Sequence, residues 1–291
     1  MLTDSQIKGK VLPDNDLDPM KPYLATITGI RNLAMDIKLL QVQLNDPAIA
    51  KSFIYQPGQF TEVSAFGVGE SPFGLASAAD GAGKLEFAIN RLGTVTDALC
   101  RMDVGDVVGV RGPLGKGFPM EKFKGKNIII LGGGIGGAPL RPVIQTILAD
   151  RKSYGKLTIF WAARSPELMV FTDEYDAWSS QPDVEMHLTV DKATPEWKYK
   201  EGLITTLVEK VAPPRENAIT ITCGPPIMIK FTMQSLDKLG FSSFQNWVTL
   251  EAKMKCGIGK CGRCNMGGIY VCTDGPVFCF EQVEKFLESF V

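Results

Sequence analysis

The chain has 291 residues, 45% of them hydrophobic and 22% charged, with a formal net charge of −1. That length holds two or three domains with ordinary cores, and the balanced charge, with no basic run interleaved with aromatics, argues against a nucleic-acid partner. A single histidine, His187, excludes His-rich metal sites and any mechanism that needs two imidazoles.

Met1–Pro22 is polar and proline-rich, without the apolar core of a signal peptide. No stretch approaches the ~20 apolar residues of a membrane span. The expectation is a cytoplasmic protein with no membrane span, whose seven cysteines are ligands or buried thiols rather than disulfides. From about Pro22 to Met120, short apolar or alternating runs predict strands at Tyr23–Ile30, Ile37–Leu44, Phe60–Phe66, Leu85–Ile89 and Val107–Val110. Turn signals at Pro57-Gly58, Gly81–Gly83 and Gly112-Pro113 separate them, a spacing that suits an antiparallel barrel. One helix is expected within it, at Thr94–Met102.

At Gly125 the texture changes. A continuously apolar strand, Asn127–Leu131, leads into Gly132–Gly137 and then a helix from Pro139 to about Ser153, where Leu140, Val143, Ile144, Ile147 and Leu148 keep helical spacing. Strands at Leu157–Trp161, Val184–Val190 and Ala218–Thr222, with helices at Leu203–Val211 and Pro226–Leu239, predict a parallel sheet covered on both faces. Trp247–Leu250 reads as its last strand. Apolar residues alternate along Val184–Val190, which puts His187 on the polar face, exposed or hydrogen-bonded rather than catalytic.

Two motifs carry chemistry. Gly132–Gly137 reads G-G-G-I-G-G and contains G-x-G-x-x-G between a strand and an amphipathic helix. In that setting Gly132, Gly133, Gly134, Gly136 and Gly137 bring backbone N–H groups and the positive helix end to a pyrophosphate. After the second strand, Arg164 and Ser165 stand where a dinucleotide fold carries an acidic residue. Arg164 could accept the extra phosphate of NADPH or pair with a pyrophosphate oxygen, and both options stay open. The second motif places Cys256, Cys261 and Cys264 in a C-x4-C-x2-C spacing, with Cys272 following after a short glycine-containing excursion. That is the plant-type spacing for a [2Fe–2S] centre. Structural zinc sites normally pair two C-x2-C units or Cys with His, and only one C-x2-C is present.

Glycine loop, β-rich half and cysteine segment, in this order, resemble the ferredoxin–NADP reductase superfamily. Within it the chain is similar to the gamma subunits of cytoplasmic sulfhydrogenases and to the electron-transfer subunits of dihydroorotate dehydrogenases, from about Tyr23 to Phe280. The resemblance implies FAD in the β-barrel, held through an R-x-Y-S form that here reads Ser71-Pro72-Phe73-Gly74, without the arginine or the serine. Phe73 is then expected beside the flavin ring. Asn90-Arg91 and Gly93-Thr94-Val95-Thr96 match the next family element, which implies Val95 and Thr96 at a helix start against the FAD pyrophosphate and Arg91 as its charge partner. Cys223-Gly224-Pro225-Pro226-Ile227-Met228 matches a C-G-P-x-x-M form that lies beside the nicotinamide. Cys223 is the implied catalytic residue, with Gly224 and Pro225 contacting the cofactor. Val271-Cys272-Thr273-Asp274-Gly275-Pro276-Val277-Phe278 matches V-C-x-D-G-P-V-F, which implies Cys272 as the fourth ligand and Cys279 as a bystander.

The expected organisation is multi-domain: an N-terminal extension (1–21), a flavin-binding antiparallel β-barrel (22–122), an NAD(P)-binding α/β parallel-sheet domain (123–250) and a small [2Fe–2S] module with a C-terminal helix (251–291). The resemblance implies a diaphorase-type electron-transfer subunit that moves electrons between NAD(P)H, FAD and the cluster. They pass to or from redox partner subunits of a larger cytoplasmic complex, hydrogenase or heterodisulfide-reductase-like. A nicotinamide gives two electrons as a hydride and the cluster takes one, so a flavin is needed between them. The dihydroorotate dehydrogenase electron-transfer subunit, a stand-alone NAD(P)H:acceptor reductase and a zinc-stabilised nucleotide sensor are the alternatives.

Overall fold

The computed structural model describes residues 18–286. The expectations for most of the 1–21 extension, and for a terminal helix running to Val291, lie outside the described residues. The first sheet contains β1 (Tyr23–Ala34), β2 (Ile37–Leu44), β3 (Phe60–Ala65), β4 (Gly69–Gly74), β5 (Lys84–Asn90) and β6 (Val107–Leu114). Their order is β4-β3-β6-β1-β2-β5, with every pairing antiparallel. The edge strands β4 and β5 approach each other without pairing, and the space between holds Ile27, Leu40, Val63, Leu85, Phe87 and Val110. Each such side chain contributes about 1.5–3 kcal/mol by leaving water.

Strand β4 was absent from the expected set. Its sequence, Gly-Glu-Ser-Pro-Phe-Gly, has no alternation, and Pro72 lacks the N–H of an inner strand. An edge position removes that objection. The helix beside it runs Thr94–Cys100, ending before Met102.

The second sheet is built from β7 (Asn127–Gly133), β8 (Leu157–Ala163), β9 (Val184–Val190), β10 (Lys200–Glu201), β11 (Ala218–Cys223) and β12 (Asn246–Thr249). All its neighbours in the order β10-β9-β8-β7-β11-β12 are parallel. Helix Gly137–Ala149 covers one face through Leu140, Val143, Ile144 and Ile147. Helices Ile204–Val211 and Pro226–Lys238 cover the other through Leu207, Val208, Ile229, Met233 and Leu236. The cysteine segment adds a small hairpin, β13 (Asn265–Met266) with β14 (Ile269–Tyr270), and then β15 (Val277–Cys279). β15 pairs antiparallel with β12. The sheet therefore ends not at Trp247–Leu250, as expected, but on a strand from the cysteine segment.

Arg141, on helix Gly137–Ala149, fastens the two sheets together. Its Nε donates to Glu174 Oε1 and Oε2 at 2.8 and 2.9 Å, and an Nη donates to the Ala76 carbonyl at 2.6 Å and to Glu86. Ala76 and Glu86 belong to the antiparallel half. His187 stacks on Phe160 at 4.9 Å and lies 2.9 Å from Glu185 without hydrogen-bond alignment. Among the described residues no helix is long and apolar enough to cross a membrane.

Candidate functional site

Strand β7 runs two residues into the glycine motif: Gly132 and Gly133 end it, Gly134–Gly136 form a 3-10 turn, and Gly137 opens the helix. Gly132 and Gly137 are filled against by Trp161. A Cβ on Gly136 would stand 2.6 Å from the Cys223 carbonyl oxygen, so the glycine turn and the Cys223-Gly224 turn seat directly on one another. Only Gly134, at φ +55°, has no neighbour within 4 Å of where a Cβ would be. The motif is thus partly a packing device, with Gly134 left facing open space.

Cys223 is buried at the end of β11, and burial pushes its thiol up to about 12, with the Thr249 hydroxyl opposing. Gly224 is buried and Pro225 exposed beyond it. Arg164 is exposed at the C-terminal end of β8; its carbonyl accepts from Lys192 N at 2.9 Å, and its charge opposes the burial that raises the Asp191 carboxyl.

Ser71, Pro72, Phe73 and Gly74 all lie in β4. Phe73 is buried in the barrel core, its ring 6.5 Å from Phe87, so only an edge of it remains for a flavin. A Cβ on Gly74 would lie 3.2 Å from Pro139, which puts the end of β4 against the helix that follows the glycine turn. Asn90 ends β5. Arg91 does not stand free as a charge partner: Asp97 takes its Nε and Nη at 2.5 Å. Nor is the Thr96 hydroxyl free, because it accepts from the Leu92 and Gly93 amides at 3.0 and 2.8 Å and donates to the Gly93 carbonyl. Thr96 is the third residue of its helix, not the first. The amides at the start of that turn, Val95 among them, have no partner within the helix.

None of the four expected ligand cysteines forms a disulfide, and they lie as two close pairs. Cys256, Cys264 and Cys272 are buried and Cys261 is exposed. Cys264 Sγ lies 3.2 Å from Cys272 Sγ, the Gly259 amide donates to Cys272 Sγ at 3.2 Å, and the Cys261 amide to Cys256 Sγ at 3.4 Å. Burial raises the Cys256 thiol, but amide donors at Ile258, Cys261 and Lys260 outweigh it and hold the thiol below its usual value. Among the described residues no three ligand-type side chains surround a single point. Cys279 lies apart in β15, its thiol directed to the Ser243 and Phe244 carbonyls.

Phe60, at the start of β3, packs with Cys264, Val271 and Cys272. It is also the ladder partner of Gly74. One strand pair thus has the cysteine segment on one flank and the helix after the glycine turn on the other, with 71–74 between.

Residue-by-residue reading missed the polar group beneath the cysteine segment. Glu62 is fully buried with neither carboxylate oxygen hydrogen-bonded. Burial, assisted by Glu70 and opposed by Arg111, pushes its carboxyl up to about 7. Arg111, also buried, donates to Glu70 at 2.7 and 3.0 Å and to the carbonyls of Pro19 and Cys256 at 3.1 Å. It ties the cysteine loop to the barrel.

Residues 24–118 match the family described as "Oxidoreductase FAD-binding domain", 130–234 "Oxidoreductase NAD-binding domain", and 251–284 "Iron-sulfur cluster binding domain of dihydroorotate dehydrogenase B". The chain is 34% identical to sulfhydrogenase 2 subunit gamma of Pyrococcus furiosus over 280 residues, covering 91% of this chain and 96% of that one. It is 32% identical to a probable dihydroorotate dehydrogenase B (NAD(+)) electron transfer subunit of Methanocaldococcus jannaschii, covering 93% and 94%. Among solved structures, the NADH-dependent reduced ferredoxin-NADP oxidoreductase superposes with a TM-score of 0.73 at 24% identity, over 91% of this chain and 93% of that one.

Proposed function

We propose, on the footing that this chain belongs to the ferredoxin–NADP reductase-like family of FAD- and NAD-binding electron-transfer subunits with an iron–sulfur domain, that it relays electrons between NAD(P)H and a redox partner subunit through FAD and a [2Fe–2S] cluster. The observation that supports this is the Phe60–Gly74 strand pair, which has the cysteine segment on one side and the helix after the glycine turn on the other, with the stretch 71–74 between them.

The residues fit each group. Four undimerised thiols fall into two pairs, Cys256 with Cys261 and Cys264 with Cys272, which suits two irons with two thiolates each better than one tetrahedral zinc. The open space at Gly134, where the glycine turn leads into helix Gly137–Ala149, and the first turn of helix Thr94–Cys100 suit two pyrophosphates. FAD, when bound, would supply the conversion of a two-electron hydride donor into one-electron steps.

The chain's own residues position and insulate. Pro139 against Gly74 holds the nucleotide turn to the flavin stretch. Cys223 keeps its proton on Sγ, because burial disfavours the thiolate, so it presents a neutral, polarisable wall at the nicotinamide side. Phe60, Leu114 and Val271 exclude water between barrel and sulfurs. No side chain needs to move a proton, which agrees with a site lacking histidine. The partner complex is a sulfhydrogenase or dihydroorotate dehydrogenase type, by likeness to the relatives named above.

Anaerobic stopped-flow spectroscopy tests the route. NAD(P)H is expected to bleach the flavin band first and the cluster bands afterwards. Cluster reduction with no flavin change refutes it.

A further inference from the structure

Between Glu251 and Asp274 the chain carries Lys253, Lys255, Lys260 and Arg263 and no acidic residue. All four cations are exposed, as is Cys261 among them. None forms an ion pair with another described residue, whereas Arg31, Arg91, Arg111 and Arg141 are each neutralised by a carboxylate. In a chain of net charge −1, these cations form a positive collar along the sequence on either side of Cys261, the one exposed cysteine of the four.

These charges do little for the fold, because exposed cations without partners contribute almost nothing to stability. The sulfurs already receive donors from the Gly259 and Cys261 amides at 3.2 and 3.4 Å. In water the side-chain charges are screened over about 10 Å at 0.1 M salt. What such a collar does well is orient and retain an incoming protein of opposite charge. We propose that Lys253, Lys255, Lys260 and Arg263 form the docking surface for a redox partner whose own electron-accepting centre is ringed by carboxylates. The inference rests on the electron-transfer reading above. One electron leaves through the Cys261 side, this chain's centre is oxidised as the partner's is reduced, and no atom is transferred.

The test uses the anaerobic holoprotein and, as probe, a small acidic [2Fe–2S] ferredoxin, with binding measured by calorimetry from about 20 to about 500 mM salt. Wild-type binding is expected to weaken steeply with salt. K260E/R263E is expected to bind on the order of tenfold more weakly at low salt and to lose most of the salt dependence. The milder K260Q/R263Q should fall between, and basic cytochrome c should prefer the charge-reversed protein. Equal ferredoxin binding by wild type and K260E/R263E at low salt overturns the proposal. So does a changed cluster EPR spectrum with unchanged ferredoxin binding, which assigns the charges to tuning the centre. Iron and sulfide content and flavin bleaching by NADH, measured on the same samples, separate the two claims: loaded protein that ignores the ferredoxin refutes docking alone, whereas wild-type protein that assembles no cluster overturns both.

Discussion

Replacing Glu62 by glutamine removes a carboxyl that the fold forces out of water without a hydrogen-bond partner. Its value rises from 4.5 to about 7, chiefly through burial. The folded protein therefore holds this proton more tightly than the unfolded chain does. Any stability tied to it is complete below about pH 4.5 and drains away as pH climbs through about 7. The shift corresponds to about 3 kcal/mol at most, or several degrees in Tm for a protein of this size. Glutamine matches the protonated carboxyl in shape and cannot ionise. The assay is thermal unfolding of wild-type and Glu62→Gln holoprotein at steps between pH 5 and 8. The two should melt together near pH 5, and the variant should melt several degrees higher near pH 8. Parallel profiles across that range would show that Glu62 is hydrated or paired in solution, and the reasoning from burial would fail.

Cys272→Ser should lose the cluster absorbance while Cys279→Ser keeps it, because only Cys272 lies beside Cys264; the reverse result would exchange their roles. Gly257→Ala should lower iron and sulfide content well below that of Gly262→Ala. Both glycines have positive φ, +72° and +75°, with a strain of about 1–3 kcal/mol for alanine, but at Gly257 the new methyl also meets Leu114 at 2.5 Å and at Gly262 it meets nothing. Arg141→Met should cost about 3–5 kcal/mol, since Glu86 and Glu174 are left without their shared guanidinium. It should also slow flavin reduction by NAD(P)H, and an unchanged rate would mean that the two sheets keep their orientation without it.

Where a strand's pattern is set by its own two faces, the sequence was enough to read it. Ile37–Leu44 was legible to the residue because alternate positions face the barrel core. Asn127–Leu131 was legible because both faces are covered. β4 and β15 were not, since neither is held by its own pattern: one carries Pro72 at an edge, and the other is three residues long and exists because β12 lies beside it. The cysteine spacing singled out four thiols locally, and the structure leaves them undimerised with Cys264 beside Cys272. Glu62 and Arg111 could not be read this way, because what covers them comes from far along the chain; Arg111 meets Cys256 across 145 positions. The Thr96 hydroxyl and Arg91 were expected to face a ligand and instead face their own turn, a competition between short-range donors and acceptors that a motif does not display.

β15 closes the outer margin of the parallel sheet with residues that lie just past Cys272. Until that stretch settles, β12 presents an unpaired backbone, the kind of margin along which chains adhere to one another. A cluster held at Cys272 would fix that stretch, and loading with iron would then guard against clumping as well. Cells short of iron or sulfide should accumulate this polypeptide in insoluble form, not as a yellow, cluster-free but otherwise sound flavoprotein.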